Sequence, residues 1–336
     1  MAKTLDVVLL LALPASGKSE TRAFLNSLAP EDCRENFHIG PTLQLDDYPY
    51  VHFMHQIDDE LYKRGYKYLF YKGPNRPFQC GFTWQTLIEL LNEDFDDLVN
   101  QRLVNPPSAA QWLFDRIDAA RLKAGQEEVL AHVPYRMRCE VAQALEAEVR
   151  EELDRRNKLN STPVEGHTIF IEAARGGPNG AAFPITPPQG YQFSLSCFSP
   201  AILERASILY IWVTPAQSRH KNIERGKPGE QGSILFHSVP MEVMLGEYGT
   251  DDMEYLISQS DRPNTVPIEK IVADEAPDGT KKYSLKKWYL PVARLDNRDD
   301  LTSFIRGEPS SWAKDDVAKM RKGLGDALEI LASLSR

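Results

Sequence analysis

Residues 6–12 (DVVLLLA) form a continuous β-branched and aliphatic run with no polar alternation, the pattern of a strand buried on both faces of a parallel sheet. Pro14 closes the run and a Gly17-Lys18-Ser19 turn follows. From residue 20 the apolar positions Ala23, Phe24 and Leu28 recur at helical spacing until Pro30. Residues 37–45 predict a second strand ending in Asp46-Asp47. Across 48–166 the period becomes helical in several pieces, 83–103, 108–123 and 141–159, so the stretch predicts a helical insertion between two sheet strands, far beyond the usual connection length. Such an insertion builds a substrate pocket or lid, or alternatively a scaffolding or dimerising bundle. Short buried strands return at 168–171 (TIFI) and 208–213 (ILYIWV), separated by a Gly/Pro-rich loop over 176–190. Asp278-Gly279 signals a hairpin between 268–272 and 283–286. Residues 288–295 predict a last strand and 312–334 a closing amphipathic helix. No internal repeat or low-complexity tract is visible. The predicted class is α/β, a three-layer core with a parallel sheet and a large helical insertion.

The length of 336 residues suits two domains, or one α/β domain carrying an insertion, and the pattern divides it into 1–47, 48–166 and 167–336. Charged residues at 26% and hydrophobic ones at 42% exclude disorder, collagen and coiled coil. Acidic residues number 48 against 39 basic, a net charge of −9, which repels polyanions and argues against a general nucleic-acid or anionic-membrane surface. Cys33, Cys80, Cys139 and Cys197 include no CxxC pair and read as reduced thiols of a cytoplasmic protein. The apolar run at 7–13 falls short of the roughly 20 residues that span a bilayer and lacks a signal-cleavage pattern, so no membrane partner is expected. The seven histidines contain no HExxH, and zinc is not supported.

The sharpest chemical signal is Ala12-Leu13-Pro14-Ala15-Ser16-Gly17-Lys18-Ser19, a Walker A pattern with Ala in the first position. It follows a predicted strand and opens a predicted helix, as its mechanism demands. Backbone N–H groups of Ala15, Ser16, Gly17, Lys18 and Ser19 would cradle phosphate oxygens, Lys18 would reach the β/γ-phosphates, and the Ser19 hydroxyl would ligate Mg²⁺. The bland alternative is a plain strand-to-helix turn.

On these residues the chain resembles the P-loop NTPase superfamily, and within it small-molecule kinases of the uridine kinase, zeta-toxin and adenylate kinase type. The match covers separated blocks. The resemblance implies that the second strand ends in an acid beside the acceptor hydroxyl, and Leu45-Asp46-Asp47-Tyr48 occupies that place. Asp46 is then the candidate general base and Asp47 a candidate substrate-binding residue, with a helix N-cap as the alternative for either. Thr168 to Glu172 looks like a Walker B element with Glu in the usual Asp position, making Glu172 a candidate for the metal shell or the substrate. Beside it, Arg175-Gly176-Gly177 offers a cation and flexible backbone to an anionic substrate, or a surface salt bridge. The basic stretch 215–227, with Arg219, Lys221, Arg225 and Lys227, resembles a kinase lid spanning 215–232, whose arginines close over the transferring phosphoryl group; a charged helix face is the alternative. Arg219 and Arg225 are six apart and cannot share one face perfectly; Arg219 with Asn222, and Lys221 with Arg225, are better aligned. Asn297, after the last predicted strand, is a candidate to read the base edge, or a turn former. The Tyr/Lys-rich stretch 62–72 interleaves rings and cations as a nucleic-acid surface does, but reads better as a partly buried hairpin or pocket wall.

The expectation is a kinase that uses ATP and Mg²⁺ to phosphorylate a hydroxyl of a small molecule. A nucleic-acid end kinase and a non-enzymatic nucleotide-gated switch are the alternatives. The acceptor, the choice between ATP and GTP, and the oligomeric state are not encoded in any motif here.

Overall fold

A computed structural model of the protein describes residues 4–225, 238–275 and 279–335. In chain order the elements are β1 (Val7–Leu11), α1 (Lys18–Ser27), α2 (Pro30–Phe37), β2 (Thr42–Asp46), α3 (Tyr48–Lys63), α4 (Thr83–Val99), α5 (Ala109–Lys123) and α6 (Tyr135–Asn160). They continue with β3 (Thr168–Ala173), α7 (Gly190–Cys197), α8 (Pro200–Leu203), β4 (Ala206–Trp212), α9 (Pro215–Arg225), α10 (Met241–Glu247), α11 (Met253–Ser258), β5 (Thr265–Glu275), β6 (Lys281–Asp296) and α12 (Lys314–Leu334). Two compact bodies result, one from residues 1–44 and 166–336, the other from 45–165. The fold is α/β. No helix among the described residues is long and apolar enough to cross a membrane.

In the first body the strands lie in the order β2-β3-β1-β4-β6-β5. β1 pairs in parallel with β3 and β4, β4 in parallel with β6, and β5 runs antiparallel to β6. All five residues of β1 are buried. Val8 and Leu10 meet Phe24 and Leu25 of α1, Leu209 and Ile211 of β4, and Met320, Leu324, Leu328 and Leu331 of α12 in one core. Each such side chain stabilises by about 1.5–3 kcal/mol when fully buried, so the helically spaced stripe of α12 docks that helix onto the sheet.

Two expectations about this body need correction. The second strand covers only Thr42–Asp46, because Pro30 ends α1's segment and then opens α2 at its first turn. Proline fits there, where its missing N–H has no intrahelical acceptor, and Cys33 and Phe37 bury one turn apart. The predicted hairpin is present as β5 against β6, but its second strand (283–286) and the predicted last strand (288–295) are one long strand, β6, which pairs with β5 along Lys281–Pro291 and with β4 along Val292–Asp296. The exposed Lys286 and Lys287 interrupt its apolar pattern but not its extended backbone. Asp278 of the hairpin turn lies outside the described residues.

The second body is helical and contains a repeat that the sequence does not advertise. Asp58 of α3 accepts the backbone N–H groups of Leu69, Phe70 and Tyr71. Asp118 of α5, sixty positions on, accepts those of Val129, Leu130 and Ala131. Both helices end in a left-handed glycine, Gly65 at φ 77° and Gly125 at φ 71°, each followed by the same closing bond, Tyr66 N–H to Leu61 O and Gln126 N–H to Arg121 O. Few identities mark the two copies, chiefly Ile57/Ile117, Asp58/Asp118, Lys63/Lys123 and Gly65/Gly125. Within this body Tyr71 stacks on His55 and Phe78, so part of the Tyr/Lys stretch is internal packing.

Candidate functional site

The loop between β1 and α1 is defined by where its carbonyls go. Ser218 Oγ of α9 donates to Pro14 O (2.7 Å), Asn297 Nδ2 to Ser16 O (2.8 Å) and Thr21 Oγ1 to Gly17 O (2.9 Å). In a planar trans peptide the C=O and the following N–H point in opposite directions. The N–H groups of Ala15, Gly17 and Lys18 therefore face away from these three side chains. Ala15 takes a left-handed φ of 57° and Gly17 a φ of 105°, and Gly17 caps α1 without any side-chain hydrogen bond. Such alternating backbone at a helix N-terminus forms a concave, electropositive nest suited to an anion. Gly17 is required twice over. Its φ is unfavourable for other residues, and a Cβ there would lie 2.6 Å from Thr302 Oγ1 and 2.8 Å from Asn297 Nδ2. Lys18 and Ser19, in the first turn of α1, are partly exposed.

Ionic pairs surround the loop. Glu20, only 1% exposed, sits between Arg225 and Arg306. Burial pushes its carboxyl upward, but the two guanidinium charges outweigh that and hold it below the ordinary range. Glu172, near the end of β3, is paired with Arg22 of α1, and its Oε1 also accepts from Gln44 Nε2 at 3.1 Å. Any metal contact by Glu172 is thus confined to Oε2. The described residues contain no group of three or more His, Cys, Asp or Glu that could hold a metal ion.

The sequence candidates separate into several places. Arg225 reaches Glu20, whereas Arg219 donates to Asn179 Oδ1 (3.3 Å) and Gly249 O (3.4 Å) on another face of α9. Lys227, with residues 226–232 of the expected lid, lies outside the described residues. Arg175 is 2% exposed, with Nη1 donating to Ala174 O, so it is not a surface side chain. The glycines after it are not a flexible loop. Gly177 exchanges backbone bonds with Gly249 and Thr250, and a Cβ on Gly176 would meet Thr250 O at 2.5 Å, which makes them close-approach glycines.

Asn297 corrects the expectation most clearly. It is fully buried, its amide donates to Ser16 O and Thr302 Oγ1, and its Oδ1 accepts from Leu301 N–H. With all three polar positions taken by protein, it braces the loop and does not read a base edge. Asp46 and Asp47 belong to the helical body. Asp46 Oδ1 accepts the Tyr48 N–H at 2.9 Å and so caps the start of α3, while Asp47 is largely buried. The sequence reading missed Ser218, Thr302, Glu20 and Arg306. The only local signal among them was Glu20, an acid placed directly after Gly17-Lys18-Ser19. Comparison with protein-family models, with curated proteins and with solved structures finds no match.

Proposed function

We propose that the protein is a P-loop kinase that transfers the γ-phosphoryl group of ATP to a hydroxyl of a small-molecule acceptor. The observation that carries this reading is the outward turn of the Pro14, Ser16 and Gly17 carbonyls, which leaves the intervening N–H groups on the concave side, at the N-terminus of α1. Lys18 is the residue to pair with the β/γ-phosphates and Arg225 the one to neutralise charge that builds during transfer. Mg²⁺, when bound, supplies charge neutralisation at the phosphate oxygens, and the Ser19 hydroxyl is the ligand this chain offers it. Asp46, at the end of β2, is the carboxylate proposed to take the acceptor proton. Its Oδ1 accepts the Tyr48 N–H at 2.9 Å, which fixes the side chain. Catalysis would then be mainly positioning and electrostatics.

The test is ADP production from Mg·ATP against a pooled set of nucleosides, sugars and short RNA ends, for the intact protein, Lys18→Ala and Asp46→Asn. Acceptor-dependent turnover lost in both variants supports the reading and identifies the acceptor class. Stimulation by RNA ends alone favours an end kinase. Tight, Lys18-dependent ATP binding without any turnover favours a nucleotide-gated switch.

A further inference from the structure

The three-membered ion cluster at Glu20 is over-supplied with positive charge. Arg225 Nη2 donates to Glu20 Oε1 (2.9 Å) and Oε2 (3.2 Å), and Arg306 Nε donates to Oε1 (2.9 Å). One carboxylate thus serves two guanidiniums whose side chains are only 12% and 27% exposed. The excess charge lies in the first turn of α1, two residues from Lys18, where the helix end is itself positive. Arg225 Nε, moreover, is buried with no hydrogen-bond partner among the described residues. A buried donor of this kind is unusual unless a ligand or water completes it.

Both arginines are delivered by elements clamped to the loop. The segment after β6 runs alongside it, with Asn297 on Ser16 O, Thr302 against Gly17 and Arg306 on Glu20. α9 grips the same segment through Gln217 Nε2 to Arg298 O and Lys221 Nζ to Asp300 Oδ1, both at 2.9 Å, and grips the loop through Ser218. Gln217, Ser218, Lys221 and Arg225 share one face of α9, so Arg225 is set by the same docking that braces Pro14.

We propose that Arg306 and Arg225 form a two-arginine clamp on phosphates bound at the 12–19 loop, and that Glu20 is the positioning residue that holds both guanidiniums and competes with those phosphates for them. The proposal rests on the nucleotide reading above. A triad with a purely structural role would lower stability when any member is changed and leave phosphate affinity alone. A clamp with a resident competitor moves affinity in opposite directions. Removing the competing carboxylate strengthens phosphate binding, and removing one arginine weakens it.

The experiment measures binding of inorganic tripolyphosphate by calorimetry at constant ionic strength, for the intact protein, Lys18→Ala, Glu20→Gln and Arg306→Gln. The expected result is affinity about tenfold tighter in Glu20→Gln and about tenfold weaker in Arg306→Gln, within the usual range of coupling between sites. Lys18-dependent binding that stays within about twofold of wild type in Arg306→Gln overturns the clamp alone. Absent binding, or binding equal in Lys18→Ala, overturns the nucleotide reading and the clamp with it. Should Glu20→Gln fail to fold, Arg306→Gln decides, since its side chain is the more exposed of the two arginines.

Discussion

Replacing Asn297 by alanine tests whether the 12–19 loop is shaped from outside. The wild-type side chain makes three hydrogen bonds, to Ser16 O (2.8 Å), Thr302 Oγ1 (2.8 Å) and Leu301 N–H (2.6 Å), at a fully buried position. At about 1 kcal/mol per net hydrogen bond, with a further penalty for buried groups left unpaired, the loss of stability is about 2–4 kcal/mol. The same change frees the Ser16–Gly17 peptide to rotate. On the proposed nucleotide reading that peptide carries one of the N–H groups facing the phosphates, so ATP affinity is expected to fall about tenfold, or roughly 1.4 kcal/mol. Urea unfolding at neutral pH reports the first quantity and calorimetric titration with ATP the second. Asn297→Asp is the informative companion. It keeps an acceptor for Leu301 N–H but sets a carboxylate against the Ser16 carbonyl, so its affinity for ATP should drop at least as far as that of the alanine variant. A stability loss under about 1 kcal/mol together with wild-type ATP affinity would falsify the claim that Asn297 shapes the loop.

Two further outcomes follow from groups outside the loop. Burial, with the neighbouring Asp252 and Glu254 charges, pushes the Asp251 carboxyl up to about 7, against the bonds it receives from Met253 N–H and Tyr210 Oη–H. Its folded value lies above its unfolded one, so the folded state holds the extra proton and stability declines as pH rises from about 4 to 7. Asp251→Asn should abolish that slope, gaining about 2–4 kcal/mol on wild type between pH 5 and pH 8, read from chemical unfolding at the two pH values; parallel curves would refute the assignment. In the helical body, Asp58→Ala and Asp118→Ala each strand three consecutive N–H groups and should each lose about 2–4 kcal/mol. Hydrogen exchange should quicken at 69–71 in the first variant and 129–131 in the second, and a large asymmetry between them would argue against equivalent copies.

The parts of this protein legible in its sequence are those set by neighbours along the chain. The unbroken apolar run of β1 marks a strand covered on both faces, and the stripe of α12 follows helical spacing. Gly17 announces a turn between strand and helix, and the six-residue offset of Arg219 and Arg225 already keeps them from sharing one face perfectly. What surrounds the 12–19 loop was decided otherwise. Its carbonyls are held by Ser218 and Asn297, 204 and 281 positions from their acceptors, and Glu20 is met by Arg306 across 286 positions. No local spacing rule can pair such residues, because only the closing of β4 and β6 beside β1 brings α9 and the segment after β6 to the loop. The helical repeat escaped for a related reason. Its signature is a carboxylate receiving three backbone N–H groups, and backbone donors are the same whatever side chains stand at 69–71 and 129–131, so the geometry is preserved while the letters diverge.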